Sequence, residues 1–342
     1  MKTILQIKDY IKEKGCCFAD GLIENYYLSL QTKPFAFVLG NSDTDMSCLP
    51  RLFAESVGAT AENGRYLQLS VRPDWMDSSD LFGWLNLEGT FIPGAIMDFL
   101  KRAHDDQQNP YFLCLDKVIV SRAEYYLRDI LNALDTRGQE KPLPYVPLIY
   151  YGRDEKAIAH YGEIPLLNNL YIVATVNLDE TSLPLNQKLL DRVHTLRVDK
   201  EDLKGSAQKT LPAVEIPADF LQTRYYSLEQ SPYDLDAYFQ IFKEINTILM
   251  EATSYVGFQI RNEGILYLLH NRDSGILSEQ DAMDHVICQK VLPRVQGSKK
   301  MIGPMLEKLH AYLQENGYRK SAEKTAKMLV QSETEDYISY WM

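Results

Sequence analysis

A continuous apolar run, Phe35-Ala36-Phe37-Val38-Leu39, ends on Gly40 and a polar turn, Asn41-Ser42-Asp43-Thr44-Asp45, before Met46-Ser47 opens a helical pattern. No other stretch restricts the fold as much. A run that is apolar at every position suits a strand buried on both faces, and so a parallel sheet covered by helices on each side. The turn has the outline of a phosphate-binding loop, G-x-x-x-x-G-K-[ST]. In that pattern backbone amides cradle phosphates, the lysine reaches the outer phosphates and the hydroxyl holds magnesium. Gly40 and Ser47 span its eight positions, but Asp45 stands at the second glycine, Met46 at the lysine, and Asp43 adds a further carboxylate. The outline survives with its charge inverted.

The strand–loop–helix order recurs downstream. Apolar periodicity predicts helices over 47–57, 95–102, 123–134 and 188–192, and strands over 66–71, 111–116, 170–176 and 194–198. Two helices, over 3–14 and from about 20 to 34, precede the first strand; Tyr26 and Tyr27 lie on one face of the second, either packing in a core or stacking on a base. Residues 136–169 break the alternation with four of the fifteen prolines and read as a long inserted hairpin or loop, functional or merely solvated. Beyond about 200 the pattern is helical, over 235–250, 260–269, 278–291, 302–314 and 321–330, with Ser278 and Asp281 as a helix-start signal. The expected fold is therefore α/β: a lead-in over 1–34, a three-layer parallel sheet over 35–200, and an all-helical lid domain over 201–342.

A net charge of −11 argues against holding nucleic acid through an overall field. The five cysteines form no C-x-x-C pair and no metal spacing with the six histidines, which reads as free thiols in a reducing compartment. No signal-like stretch or spanning apolar segment is present, so a cytoplasmic location and no membrane contact are expected.

Several short stretches, in order, resemble the McrB-type AAA+ motor of modified-cytosine restriction systems. They are Arg72-Pro73-Asp74-Trp75 with Asp80-Leu81-Phe82-Gly83, Pro93-Gly94, Leu115-Asp116, Asn177-Leu178-Asp179-Glu180, Leu190-Asp191-Arg192, Lys290-Val291-Leu292-Pro293-Arg294, Ser321-Ala322-Glu323-Lys324 and Trp341. The resemblance runs from about residue 20 onward. It implies an AAA+ P-loop-type core, a nucleotide-driven ring of like subunits, an McrC-like endonuclease as partner, and DNA reached only through partners.

It also assigns roles. Gly40, Ser42, Thr44 and Ser47 correspond to the nucleotide loop, with Asp43, Asp45 and Met46 in place of glycine, glycine and lysine. Ser47 and Asp116 correspond to the magnesium ligands, but Lys117 replaces the glutamate that activates water, and Ile119 a following asparagine. A charged lysine cannot accept a proton. Asn177 matches the sensor asparagine, Arg192 the arginine facing a neighbour's nucleotide, and Arg261 a second sensor on the lid. Each has a plain structural alternative: Asp43 and Asp45 turned to solvent, Asp116 as a helix cap, Asn177 as a turn residue, Arg192 paired with Asp191, and Arg261 paired with Glu263. Trp75 and Trp84 either mark a partner contact or pack. Arg294, Lys299 and Lys300 either meet phosphate or form a solvated face.

Two charges about 4 Å apart interact by roughly 4 kcal/mol at an effective dielectric near 20, so exchanging attraction for repulsion costs orders of magnitude in affinity. Loss at both Met46 and Lys117 points to a hydrolysis-deficient subunit, structural or regulatory, holding no nucleotide or only weakly bound ATP or GTP with magnesium. The alternatives are a weakly active GTPase or ATPase motor for an McrC-like nuclease, and a free-standing protein-binding adaptor.

Overall fold

The computed structural model describes residues 2–41, 44–118, 120–136, 151–162, 164–165, 167–178, 187–198, 211–216, 220–221, 228–252 and 254–341. Two helices, α1 (Lys2–Glu13) and α2 (Leu22–Thr32), lead into β1 (Phe35–Gly40) and α3 (Cys48–Ser56). Then come β2 (Tyr66–Ser70), the short α4 (Ser79–Phe82), the strands β3 (Gly83–Leu85) and β4 (Phe91–Pro93), and α5 (Met97–Asp105). They are followed by β5 (Tyr111–Asp116), α6 (Val120–Tyr126), α7 (Arg128–Thr136), α8 (Glu155–Tyr161), β6 (Leu170–Asn177), α9 (Gln187–Leu190) and β7 (His194–Arg197).

The five long strands form one parallel sheet in the order β2-β5-β6-β1-β7. Alternation along each strand feeds two cores. Ala36, Val38, Phe112, Cys114, Tyr171 and Val173 face α1, α2, α3 and the C-terminal helices. Phe35, Phe37, Leu39, Leu113, Leu115, Ile172 and Ala174 face α5, α6 and α7. The chain thus forms the expected α/β fold, a three-layer parallel sheet followed by helices. With β6 between β1 and β5, Gly40 pairs with Asn177 at the ends of β1 and β6, and Asp116 ends β5 beside Thr175.

The helical region comprises α10 (Asp236–Leu249), α11 (Phe258–Ser274) and α12 (Glu279–Val286), which runs on as a π-helical stretch, Ile287–Val291. After it come β8 (Gln296–Ser298), α13 (Lys299–Glu315), α14 (Arg319–Gln331) and β9 (Tyr337–Ser339), the two strands pairing antiparallel. Ser278 caps α12 by accepting from Asp281 N at 3.0 Å. α11 packs on α2, so the first two helices and the C-terminal helices share one core. Trp341 packs against both cores and donates its indole N–H to Pro293 O at 3.1 Å.

Several details depart from the sequence reading. The helix expected over 123–134 is two helices, α6 and α7. Within the 136–169 insertion lies α8, capped by Asp154, whose other carboxylate oxygen accepts from Phe91 N at 2.8 Å; residues 137–150 lie outside the described residues. The polar segment after β2 contains a hairpin of β3 and β4, closed at Gly83. There φ is +111° and a Cβ would stand 2.3 Å from Ile92 O, so only glycine fits. The five cysteines are not all free thiols, because Cys16 and Cys48 are joined as a disulfide where α1 packs beside α3. Tyr26 and Tyr27 are core residues, one edge-on to Phe53 and the other stacked on Phe220. Among the described residues no helix is long and apolar enough to cross a membrane.

Candidate functional site

Parallel strands leave a crevice beyond their carboxyl ends, and in open α/β sheets ligands bind there. Here the crevice receives the turn from β1 to α3. Gly40 is fixed by its neighbour strand, since Leu178 N donates to Gly40 O at 2.9 Å. Thr44 is buried, and Ser42 and Asp43 lie outside the described residues.

Met46 does not occupy the place of a lysine reaching outward. Its side chain folds inward to 8% exposure and joins the α2–α3 core. It covers Gly40 so closely that a Cβ there would meet Met46 Cγ at 2.9 Å and Sδ at 3.2 Å. The hydroxyl expected to hold magnesium is engaged within the turn: Ser47 Oγ donates to Asp45 Oδ1 at 2.7 Å. Asp45 is exposed, and its field reaches the end of β5. Burial pushes the Cys114 thiol up to about 12, a hydrogen bond from Tyr66 works against that rise, and Asp116 and Asp45 add to it. Both carboxylates thus act on the buried Cys114 thiol.

Asp116 keeps the position expected of a metal ligand, but both its oxygens accept hydrogen bonds within the sheet. Thr175 Oγ1 donates to Oδ1 at 2.6 Å and Gln68 Nε2 to Oδ2 at 3.2 Å. Lys117 is exposed, with φ +57°, and its backbone N–H donates to Thr175 Oγ1 at 2.9 Å. It is the one positive-φ residue other than glycine among the described residues. Thr175 and Gln68 were not legible as site residues, because their role depends on strand register. Ile119, Asp179 and Glu180 lie outside the described residues.

The arginines are held differently from the pairings sequence suggests. Asp191 pairs with Arg294, not Arg192; Arg192 Nη1 donates to Asn132 Oδ1 at 3.4 Å. Arg294 is therefore tied down away from phosphate, while Lys299 and Lys300 are exposed at the start of α13. Arg261 does not pair with Glu263 but lies over the rings of Phe239 and Phe258, 4.8 and 4.9 Å from their centres, and donates to Asn262 Oδ1. Trp75 is buried edge-on to Tyr126, while Trp84 stands exposed on β3.

Glu263 instead joins the segment between α2 and β1 to α11 and the π-helical stretch. Its carboxylate accepts from Lys33 Nζ at 2.9 Å and Lys290 Nζ at 2.5 Å, and Lys290 also donates to Val193 O at 2.8 Å. Burial alone would raise the Glu263 carboxyl, but Lys290 first, then Lys33, hold it well below the usual carboxylate range. His194, inside the same cluster, is pushed well below the ordinary histidine range by burial and then by Lys290, so its ring is neutral.

A magnesium nucleotide fits this turn poorly. The lysine is missing, Met46 covers Gly40, and the serine hydroxyl and both Asp116 oxygens have partners in the chain. Among the described residues no group of three or more acidic, histidine or cysteine side chains is placed to hold a metal ion.

Residues 208–337 match a family model described as a domain of unknown function (DUF8727). No curated protein matches the chain. Among solved structures, a "putative ATPase" of Cytophaga hutchinsonii is similar over 86% of this chain and 87% of its own, at 12% identity and TM-score 0.45. NtrX of Brucella abortus is similar over 95% of this chain and 65% of its own, at 12% identity and TM-score 0.29. C. elegans PCH-2 is similar over 82% and 70%, at 13% identity and TM-score 0.29. Scores at this level carry no weight beside the strand order itself.

Proposed function

We propose that this chain is an McrB-like AAA+ subunit that no longer hydrolyses nucleotide, and that it serves as a structural or regulatory member of a cytoplasmic ring or of a complex with an McrC-like endonuclease. In this reading residues 1–34 are a lead-in, 35–200 the core and 201–342 the lid. The observation that carries it is the turn at β1, where Met46 is packed over Gly40 and Asp45 holds the Ser47 hydroxyl. Neutral loss of one lysine would leave an open cradle. Here the cradle is filled and bears the charge of its former ligand.

What remains supports a role toward neighbours. Arg192 is half-buried beside α7 and suits an arginine that serves the adjoining subunit, which can act even where its own site is dead. DNA would be met through partners, in keeping with the net charge of −11.

One observation favours the protein-binding adaptor as a second reading. The β3–β4 hairpin exposes Trp84 at 53%, Ile92 at 38% and the fully exposed Leu87, and large exposed aromatics mark contact surfaces.

Phosphate release from ATP and GTP with magnesium, measured beside mass by light scattering, tests the proposal. The expected result is no release above buffer and an assembly state that nucleotide does not change. Release that Asp116→Asn abolishes would overturn it. A strictly monomeric chain that releases no phosphate would favour the adaptor.

A further inference from the structure

The Cys16–Cys48 disulfide spans 32 positions and joins the turn after α1 to the first residue of α3. Cys48 follows Ser47 directly, and its backbone N–H donates to Asp45 O at 3.1 Å, which closes the β1 turn. Cys16 is placed by its own N–H, which donates to Ile11 O at 3.3 Å at the end of α1. With α1 packed beside α3, the bond fastens the first helix to the last residue of the candidate site.

Two features separate this bond from a structural staple. The first is the company it keeps, since Cys17, Cys114 and Cys288 are free thiols. A chain that leaves three of its five cysteines unpaired suits a thiol-rich compartment, where disulfides are transient and sense redox state. The second is that the fold does not need the bond. Two extensive apolar cores hold the chain, and covalent staples are required only by domains too small to build one. Cys16 and Cys48 lie inside the first core, 8% and 1% exposed, where a thiol packs as a small hydrophobe. Bonded and unbonded forms are therefore both compatible with one fold.

We infer that the Cys16–Cys48 pair is a redox switch: its disulfide clamps the α1–α2 connection to the β1 turn, and its dithiol form releases it. The reductant is a small thiol of the glutathione class. One thiolate attacks Sγ of Cys16, the more exposed of the two residues; the S–S bond breaks and Cys48 leaves as a thiolate. A second thiolate attacks the small thiol's sulfur in the mixed disulfide, and Cys16 leaves in turn. The protons given up by the two small thiols pass through water to the two cysteines. Two electrons thus reduce the protein disulfide while two small thiols become one small disulfide, which runs the same steps in reverse. Cys17, half-buried and free, takes no part in the closed bond. The inference does not rest on the nucleotide reading, because both states are defined with no nucleotide present.

Equilibration of the full chain in glutathione buffers of stepped ratio tests it, followed by acid trapping, alkylation and peptide mass analysis. The pair should pass from bonded to free as the reduced share rises, and Cys17→Ser should leave that transition in place. Opening the bond should speed amide exchange over residues 44–48 about tenfold or more, with the far-UV circular dichroism unchanged. It should also lower the melting temperature by about 5 °C, because a closed loop is lost from the unfolded chain. Cys16→Ala and Cys48→Ala should each show the open-state exchange in every buffer. A bond that stays closed in the folded chain at millimolar dithiothreitol would overturn the switch, as would thiols that never pair under oxidised glutathione. Equal exchange over 44–48 in the two forms would overturn the clamp on the turn.

Discussion

Ser47 gives its hydroxyl to Asp45, 2.7 Å away, in the turn that closes β1. In a working phosphate loop that hydroxyl is directed at a metal and the neighbouring backbone at phosphate. Here the turn satisfies itself, and Met46 seals it from below. Met46 fills the space beside Gly40 as part of the core.

The Lys33–Glu263–Lys290 cluster should be the most sensitive polar feature of the fold. Glu263→Gln leaves two buried ammonium groups without their carboxylate, and breaking a buried pair from one side costs about 3–5 kcal/mol. Urea unfolding should register that loss. Adding Lys290→Met to Glu263→Gln should recover part of it, because one stranded charge is then removed. A single variant as stable as the parent would mean the cluster does not bind lid to core.

Acid should weaken the fold in two overlapping windows. His194 and His285 are neutral when folded, with His285 pushed down to about 3 by burial and Lys320, while both protonate near 6.5 in the unfolded chain. Folded values below unfolded ones mean the unfolded state binds more protons, so stability falls with pH below the histidine range. Each histidine contributes about 1.4 kcal/mol per pH unit there. Glu263, depressed by Lys290 and Lys33, adds its loss only once pH falls through and below the ordinary carboxylate range. Unfolding free energies at pH 7 and 5.5 should differ accordingly, and His285→Gln should flatten the slope by about one proton. An unchanged slope would contradict the neutral ring.

Gly83→Ala tests the hairpin that carries Trp84. The added methyl would stand 2.3 Å from Ile92 O and 2.7 Å from the Phe91 ring, at a φ of +111°. Strain and overpacking together should cost about 2–4 kcal/mol, visible as a lowered melting temperature. Gly89→Ala, at the hairpin tip with φ +78° and nothing within 4 Å of the new methyl, should cost only the backbone strain of about 1 kcal/mol.

The sheet was legible because its central strands are nearly continuous apolar runs, and buried parallel strands leave that mark. Phe35 to Leu39 and Leu170 to Val176 could hardly belong elsewhere. The β3–β4 ladder was not legible, since three-residue strands around an exposed Trp84 carry no period. The identity of the altered loop residues could be read, but not their consequence. Met46 turns inward because the α2–α3 core accepts it, and that depends on helices no local pattern can see. The plain alternative to a sensor role for Arg261 was pairing with Glu263, two positions along α11. On a helix such residues do not face each other, and Glu263 finds Lys33 across 230 positions instead. Of the α14 lysines only Lys324 was read, as part of a family ending, because a cavity cannot be seen until α2, β7 and α14 are brought together.

The central claim, that the β1 turn excludes nucleotide because of what replaced its glycines and lysine, is tested by thermal unfolding with ATP and with GTP, each with magnesium. The parent should be compared with a variant carrying Asp43→Gly, Asp45→Gly, Met46→Lys and Lys117→Glu. A ligand at a hundred times its dissociation constant adds about 2.7 kcal/mol of stability, well within reach of the measurement. The parent should show no shift with either nucleotide and the variant a clear one. A shift in the parent that Ser47→Ala removes would contradict the account.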